Sequence, residues 1–487
     1  MAENHYENPP LTISKIGVIG AGVSGIAAAK QLYHHNPVVF EASDSIGGVW
    51  RTCAYNSTKL QSARKSYEFS DFPWPNRDDP SFPTHVEVVD YLESYAKHFD
   101  LLKFVKFNSK VMELRFVGQQ GTTELGGNGG AFGSPLQGHP VWQIAVQTNG
   151  SQSLQLYAFE FVVVCIGKYG DIPKIPSFPH NKGPEMFQGG VLHSIDYCKL
   201  DKDAAFQLLK RKKRPEGQPC TMVVKTLHWT VPHYSVWGLP FFLFYSTRAS
   251  QFLHEKPNQT FLRTMLCYLL SPLRRGVLKF IESYLLWKLP LQKYGLKPDH
   301  PFEEDYASCQ MVIMPENFFT EADKGNIVFK RSSNWWFWKE GIEFDDNTKM
   351  KADVVILATG YDGKKKLKTI LPDLFRSLIE YHPSGIMPLY RGTIHPQITN
   401  MAFAGYIESV ADLHTSELRS MWLARYVDEK FKLPSAENML EQIYKEMEVI
   451  NHGDEICEEM GWNSWRKRSW FAEAFSPYGS QDYRLKN

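Results

Sequence analysis

The sequence predicts an α/β fold built around a Rossmann-like dinucleotide-binding domain, and three observations predict it. A glycine turn, GVIGAGVSG at residues 17–25, stands between a short apolar run and a helix-like segment. Dense β-branched runs recur at residues 159–165 (FEFVVVC), 221–224 (TMVV) and 353–357 (DVVIL), as strands of a parallel sheet covered on both faces do. The composition is that of a globular chain: 487 residues, 43% hydrophobic and 22% charged, room for about three domains at ~150 residues each. A peptide-sized module, bulk disorder and a coiled coil are excluded on these numbers. Lys plus Arg total 54 against 53 Asp plus Glu, so a net charge of +1 gives no bulk field toward nucleic acid or an anionic membrane. An aromatic fraction of 14% can line pockets for flat ligands, although a large core uses aromatics as well.

In chain order, residues 15–19 read as a buried strand, 24–33 as a helix and 37–40 as a second strand, the opening of a βαβ unit. Residues 111–117 and 141–147 read as a hairpin joined by a linker containing GGNGGAFGSPLQG. The apolar stretch 261–291 is broken by Arg263, Pro272, Arg274, Arg275, Lys279 and Glu282, so no transmembrane segment is expected; a buried helical pair is the expectation, with a surface-lying helix as the other. Beyond Pro434 the chain is helical and charged with an aromatic end, a cap or lid. The first residues lack a basic run followed by an apolar one, so no secretory signal is expected. Seven cysteines (Cys53, Cys165, Cys198, Cys220, Cys267, Cys309, Cys457) are scattered with no CxxC, which argues against a disulfide framework and against a zinc site, and no metal is expected. A reducing, cytoplasmic location follows, and peripheral attachment at the endoplasmic reticulum is the alternative.

The glycine turn has the context a dinucleotide loop needs. Gly20 permits the tight turn, Gly22 lets the backbone approach a pyrophosphate, and Gly25 lets helix and strand pack closely. Ala21, Val23 and Ser24 complete the loop and the helix start, whose free N–H groups attract phosphate. Glu41 ends the second strand, about twenty residues on, where a carboxylate accepts ribose hydroxyls. An acid there repels a 2′-phosphate, so the site suits FAD or NAD and not NADPH. A merely structural glycine loop is the competing reading.

The next segment, EASDSIGGVWR, repeats the glycines at Gly47 and Gly48 and ends in the aromatic Trp50. Further on, Phe187, Gly189, His193 and Tyr197 fit the pattern FxGxxxHxxxY. Together these residues resemble the flavin-containing monooxygenases, and the resemblance extends to YEFSDFPWP at 67–75 and VVILATGYD at 354–362. It implies a two-dinucleotide-binding-domain flavoprotein fold: residues 1–198 and 331–430 as the two parts of an FAD domain, 199–330 as a truncated NADPH-type domain, and 431–487 as a helical tail. It also implies that Glu41, Gly47, Gly48 and Trp50 cover FAD, that Thr359 and Gly360 lie near it, and that His193 is a hinge or structural residue. A satisfied core histidine is the bland reading of that last position. Gln61 occupies the place of a family Asn that contacts flavin and nicotinamide, one methylene longer, and is the candidate catalytic residue.

The wording of several stretches is closest to the plant defence-associated branch, which N-hydroxylates small cyclic amino acids such as pipecolate. Tyr197-Cys198, where the Baeyer-Villiger branch has Trp-Pro, implies oxygenation of a heteroatom. The implied reaction is oxygenation of a soft nucleophilic N or S of a small molecule by O2, through a flavin C4a-hydroperoxide, with NADPH as reductant. The family's second glycine turn is missing, however: Gly217 is the only glycine between Tyr197 and Trp229, and a basic run, LKRKKR at 209–214, leads directly to the next strand. Lys225 remains where the family has a base facing the 2′-phosphate, and one cation without the turn should hold NADPH poorly. The alternative to a working monooxygenase is therefore an FAD-binding but catalytically impaired homologue.

Overall fold

A computed structural model of the chain describes residues 12–62, 64, 67–75, 82–118, 133–200, 219–232, 235–240, 261–307, 310–315, 317–379, 387–406, 412–446, 456–457, 459–462, 466–467, 469 and 472. Its principal sheet starts at β1 (Thr12–Ile19), which pairs in parallel with β2 (Val38–Phe40) on one side and β6 (Leu154–Val164) on the other. β2 continues to the short β3 (Val105–Lys106), while β6 continues through an antiparallel pair, β5 (Trp142–Thr148) and β4 (Ser109–Phe116). Alternation along β1 and β6 decides the layers. Ile16, Val18, Phe161 and Val163 face a core shared with α1 (Val23–Gln31) and α3 (His85–His98), whereas Ile19, Val162 and Val164 face a second core on the other side. Burial on both faces is why 159–165 is an unbroken apolar run rather than an alternating one.

β6 is long enough to serve two partners along one edge. β5 pairs with residues 154–159, and β18 (Met401–Phe403) pairs in parallel with 162–164. The strand that joins the main sheet late in the chain is thus MAF at 401–403 and not the VVIL strand ahead of Ala358-Thr359-Gly360-Tyr361. The latter, β17 (Val354–Leu357), pairs in parallel with β7 (Gly190–His193) in a two-stranded sheet of its own, beside the meander β14 (Trp335–Trp338), β15 (Gly341–Phe344) and β16 (Lys349–Lys351). Phe187, Phe337, Ile342, Phe344 and Leu357 make the small core between them.

Between β7 and that meander lies a third region. β8 (Cys220–Val224) pairs in parallel with β13 (Ile327–Arg331), β9 (Thr230–Val231) with β12 (Val312–Ile313), and β10 (Ser235–Val236) with β11 (Leu239–Pro240) in a tight hairpin. Among the described residues each of these sheets stops at two strands. The core here joins Trp229, Val236 and Phe302 to Ile281 and Leu285. The expected helical pair at 261–291 is instead one helix, α5 (Phe261–Lys288), with Pro272 inside it. Pro272 lies on an exposed face, where the carbonyl one turn back can turn to water, so the lost hydrogen bond does not break the helix. Nor is this helix buried all round: Ile281 and Leu285 enter the core, but Leu262, Tyr268, Leu269 and Trp287 are exposed. No helix among the described residues is long and apolar enough to cross a membrane. The glycine-rich linker at 119–132 and most of the aromatic tail fall outside the described residues; of the tail, the helix Ala436–Glu446 packs into the first core through Met439 and Ile443.

Candidate cofactor cleft

At the carboxyl ends of β1, β2 and β6 lies a cavity of about 370 Å³, in the crevice where an open α/β sheet reverses its winding. Two glycine turns form one wall. Gly20 has φ +98°, and a Cβ there would stand 2.7 Å from the Cys165 carbonyl oxygen; a Cβ on Gly25 would stand 1.8 Å from the Gly20 carbonyl oxygen. Neither position accepts a side chain. Gly48 comes so near the first turn that its Cβ would lie 3.1 Å from Gly22 Cα, so the two loops meet backbone to backbone. Gly22 is also the N-cap of α1 and contributes no side-chain cap, which leaves the first N–H groups of that helix free for an anion.

Glu41 is buried and already holds three donors. The Ala21 N–H donates to Oε2 at 2.7 Å, while the Ser43 N–H and hydroxyl donate to Oε1 at 2.9 and 2.6 Å. The carboxylate therefore ties the end of β2 to the glycine turn, a duty its sequence position did not disclose. Trp50 lines the cavity and donates its indole N–H to the Tyr67 hydroxyl at 2.9 Å. Ser24 lies at the mouth, 3.2 Å from the hydroxyl of Ser416 on α10; α10 (Asp412–Val427) takes that label after α4 (Ser194–Cys198), α6 (Phe302–Ala307), α7 (Phe318–Asp323), α8 (Gly363–Ile370) and α9 (Asp373–Arg376), with α2 (Val49–Thr52) following the second glycine pair.

Other sequence-selected residues stand further back. Thr359 donates its hydroxyl to the Lys174 carbonyl at 2.5 Å, and the Gly360 carbonyl accepts the Lys174 N–H at 2.9 Å. Both thus bond to Lys174, three residues beyond the lining stretch 165–171, and neither belongs to the lining. Gln61 is exposed and also outside it. Lys225 is exposed just past the end of β8, remote in sequence from every lining segment. The signature residues organise the β7–α4 junction. Phe187 packs on Phe337 with ring centroids 5.7 Å apart, and a Cβ on Gly189 would meet the Asp353 carbonyl oxygen at 2.4 Å. His193 caps α4: its Nδ1 accepts the Ile195 N–H at 3.2 Å, while Asp196 accepts the His193 N–H at 3.1 Å. The His193 Nε2 is buried with no hydrogen-bond partner. Tyr197 sets its ring edge-on to Tyr55, and the Cys198 thiol donates to the Cys53 carbonyl at 3.1 Å. Since Cys53 lines the cavity, the signature helix is fastened to the cavity wall.

Sequence reasoning missed Lys366, Thr369, Gly405 and Ser416, all in the lining. Lys366 donates to the Ile166 carbonyl and pairs with Asp171, each at 2.7 Å. Its only signal was a KKK run after the ATGY strand. Burial holds the Cys165 thiol beside the cavity far above the usual thiol range, so it stays protonated.

A doubly wound sheet whose crevice is walled by two glycine turns, an uncapped helix start and an acid at the second strand's end defines a dinucleotide-binding α/β protein of the two-domain flavoprotein class. The chain matches the flavin-binding monooxygenase-like family model over residues 13–209 and 221–460, and it belongs to that family. It is 62% identical to "Probable flavin-containing monooxygenase 1" of Arabidopsis thaliana, covering 100% of this chain and 98% of the relative. To "Dimethylaniline monooxygenase [N-oxide-forming] 2" of Macaca mulatta it is 27% identical, over 89% of this chain and 77% of the relative. Among solved structures, OTEMO in complex with FAD and NADP has the same fold at a TM-score of 0.57 and 19% identity, over 87% of this chain and 86% of that one. The family match pauses at 210–220, on the basic run. The Arabidopsis alignment covers 525 positions against 487 residues here, so about 38 positions of that relative have no counterpart in this chain.

Proposed function

We propose that this chain is an FAD-dependent monooxygenase that oxygenates a soft nucleophilic nitrogen, or sulfur, of a small molecule with O2, in the plant branch that N-hydroxylates cyclic amino acids. The observation that carries the reading is the back-to-back glycine wall, Gly20–Gly25 against Gly47–Gly48, at the uncapped start of α1. A cofactor pyrophosphate fits there because no side chain does. FAD bound in the cleft would supply the oxygen-transfer chemistry. The protein's own share is positional: Ala21, Val23 and Ser24 offer backbone N–H groups, Glu41 offers its remaining lone pairs to ribose, and Trp50 and Tyr67 close the wall against water. In this reading residues 1–198 and 331–430 form the flavin domain, and the protein works in the cytoplasm or at the endoplasmic reticulum surface.

NADPH, the family's reductant, fits this chain less well. The candidate segment offers one glycine, Gly217, and one exposed cation, Lys225, and residues 201–218 lie outside the described ones. The single glycine between Tyr197 and Trp229 motivates a second reading, a flavoprotein whose NADPH half is impaired. One experiment separates the two. The FAD-loaded chain is mixed anaerobically with NADPH while the visible absorbance of oxidised flavin is followed. Bleaching supports the working enzyme, and pipecolate is then the first substrate to try. Persistence of the colour with NADPH, together with its loss to dithionite, supports the impaired reading.

A further inference from the structure

In the 199–330 region, remote in sequence from the glycine turns, three segments bring two imidazoles onto one buried carboxylate. Asp305, on α6, is 2% exposed, and its Oδ2 accepts the Trp229 N–H at 2.5 Å. His228 Nδ1 stands 2.9 Å from Asp305 Oδ1, and His300 Nε2 stands 3.0 Å from Oδ2. The candidate ligand atoms of the three residues all lie within 4.8 Å of one another. Two ligands of one zinc ion, each at ~2.0–2.1 Å, are separated by ~2.9 Å at a right angle and ~3.4 Å at the tetrahedral angle. The two N···O separations are thus those of neighbours in one coordination shell.

A pair of ordinary hydrogen bonds gives similar lengths, so direction has to decide. His228 is aligned for a hydrogen bond to the carboxylate, whereas the His300 Nε2, shut off from solvent, makes none of good geometry despite the 3.0 Å approach. A ring nitrogen this close to an anionic oxygen, and not donating to it, is satisfied when its lone pair and that oxygen share a cation. The outer contacts suit such a centre. The Trp229 indole N–H donates to the His300 carbonyl at 2.8 Å, and the Trp229 backbone N–H holds the carboxylate, so one residue orients two of the three ligands.

We propose that His228, His300 and Asp305 form a binding site for a divalent metal, zinc by its donor set of two imidazole nitrogens and a carboxylate. Three protein ligands leave the fourth position of a tetrahedral ion to water. The ion pins the exit of β8, the turn after α5 and α6 to one another. No local spacing announces the site, because its ligands come from positions 228, 300 and 305.

The test uses the full-length, FAD-loaded chain, stripped of metal with a chelator and titrated with zinc in a calorimeter. One zinc per chain is expected at this site. Affinity should fall ~10-fold or more in His228→Ala and in His300→Ala, and stay unchanged when the more exposed group of His34, His35 and Asp428 is disrupted by His34→Ala and His35→Ala together. X-ray absorption of the zinc-loaded, unmutated chain gives a readout that needs no variant: imidazole nitrogen at ~2.0–2.1 Å supports the site, whereas sulfur at ~2.3 Å places the zinc on cysteine and overturns it. Absence of stoichiometric zinc binding overturns it as well, and so does binding that moves only with His34 and His35.

Discussion

Gly25 shows how little freedom the cleft allows a single residue. Its missing Cβ would lie 1.8 Å from the Gly20 carbonyl oxygen, and no rotamer relieves a clash made by Cβ itself. Gly25→Ala must therefore push α1 off the turn, an overpacking cost of ~1–3 kcal/mol. We expect a lower melting temperature and a loss of FAD affinity of ~10-fold or more, that is ~1.4 kcal/mol, read by flavin fluorescence; unchanged affinity would remove the first glycine turn from the cofactor site. Two buried titrating groups act oppositely. Burial raises the Glu417 carboxyl, which accepts two hydrogen bonds from Ser70, from 4.5 to about 7. Burial lowers the His395 imidazole from 6.5 to about 4. From about pH 4.5 to 7 the folded chain holds the Glu417 proton more tightly than the unfolded chain, so that group's contribution falls as pH rises. From about pH 4 to 6.5 the unfolded chain binds the His395 proton more tightly, so that contribution rises. Over their shared window the slopes cancel. Glu417→Gln keeps an acceptor for Ser70 and removes one slope, so its melting temperature should climb relative to the parent chain between about pH 4.5 and 7; parallel pH profiles would refute this assignment.

At the scale of elements, local spacing announced some features and long-range pairing hid others. The glycine turn, Glu41 and the strand at 159–165 were legible because their signal is periodicity and fixed spacing within about 25 residues of chain. The partner of β17 was not: it is β7, more than 150 residues earlier, and a buried parallel strand reads the same whichever sheet it joins. Lys366, Gly405 and Ser416 reach the cavity only through tertiary folding, from stretches with no motif of their own. The α4 cap makes a sharper point about the signature. His193 gives one ring nitrogen to the cap and keeps the other buried without a partner, so its position in the fold is a helix start more than an acid or base. His193→Ala should cost about 1 kcal/mol, as loss of a helix cap does, while releasing a buried donor left without a partner. Melting temperature should drop by a few degrees with flavin affinity retained to within a few-fold; a loss of flavin binding without a loss of stability would instead give His193 a role at the cofactor.

For the whole molecule, the question is whether two dinucleotide halves survive in one chain. The flavin half is complete in its layers: the seven-stranded sheet is buried on both faces, and its crevice is walled by residues from nine separate stretches of chain. The other half ends at two-stranded sheets among the described residues, with Met222 of β8 and Val328 of β13 exposed, and with apolar residues of α5 open to solvent. Parallel strands of an intact doubly wound domain are covered on both faces. The family match pauses just ahead of β8, at 210–220. Restoring the absent stretch therefore makes a decisive chimera. Those residues of the 62% identical Arabidopsis relative that fall opposite positions 210–220 and align to none here would be inserted at that place. If the missing turn alone disables reduction, the chimera should lose FAD colour with NADPH under anaerobic conditions at least ~10-fold faster than the parent chain, with flavin content unchanged. It should also bind less of a dye that reports exposed apolar surface, because the new strand and helix cover β8 and α5. Equal bleaching rates in parent and chimera, both fast, would show that the chain reaches NADPH without the glycine turn; a chimera that covers the apolar surface but stays unreduced would place the defect outside the missing segment.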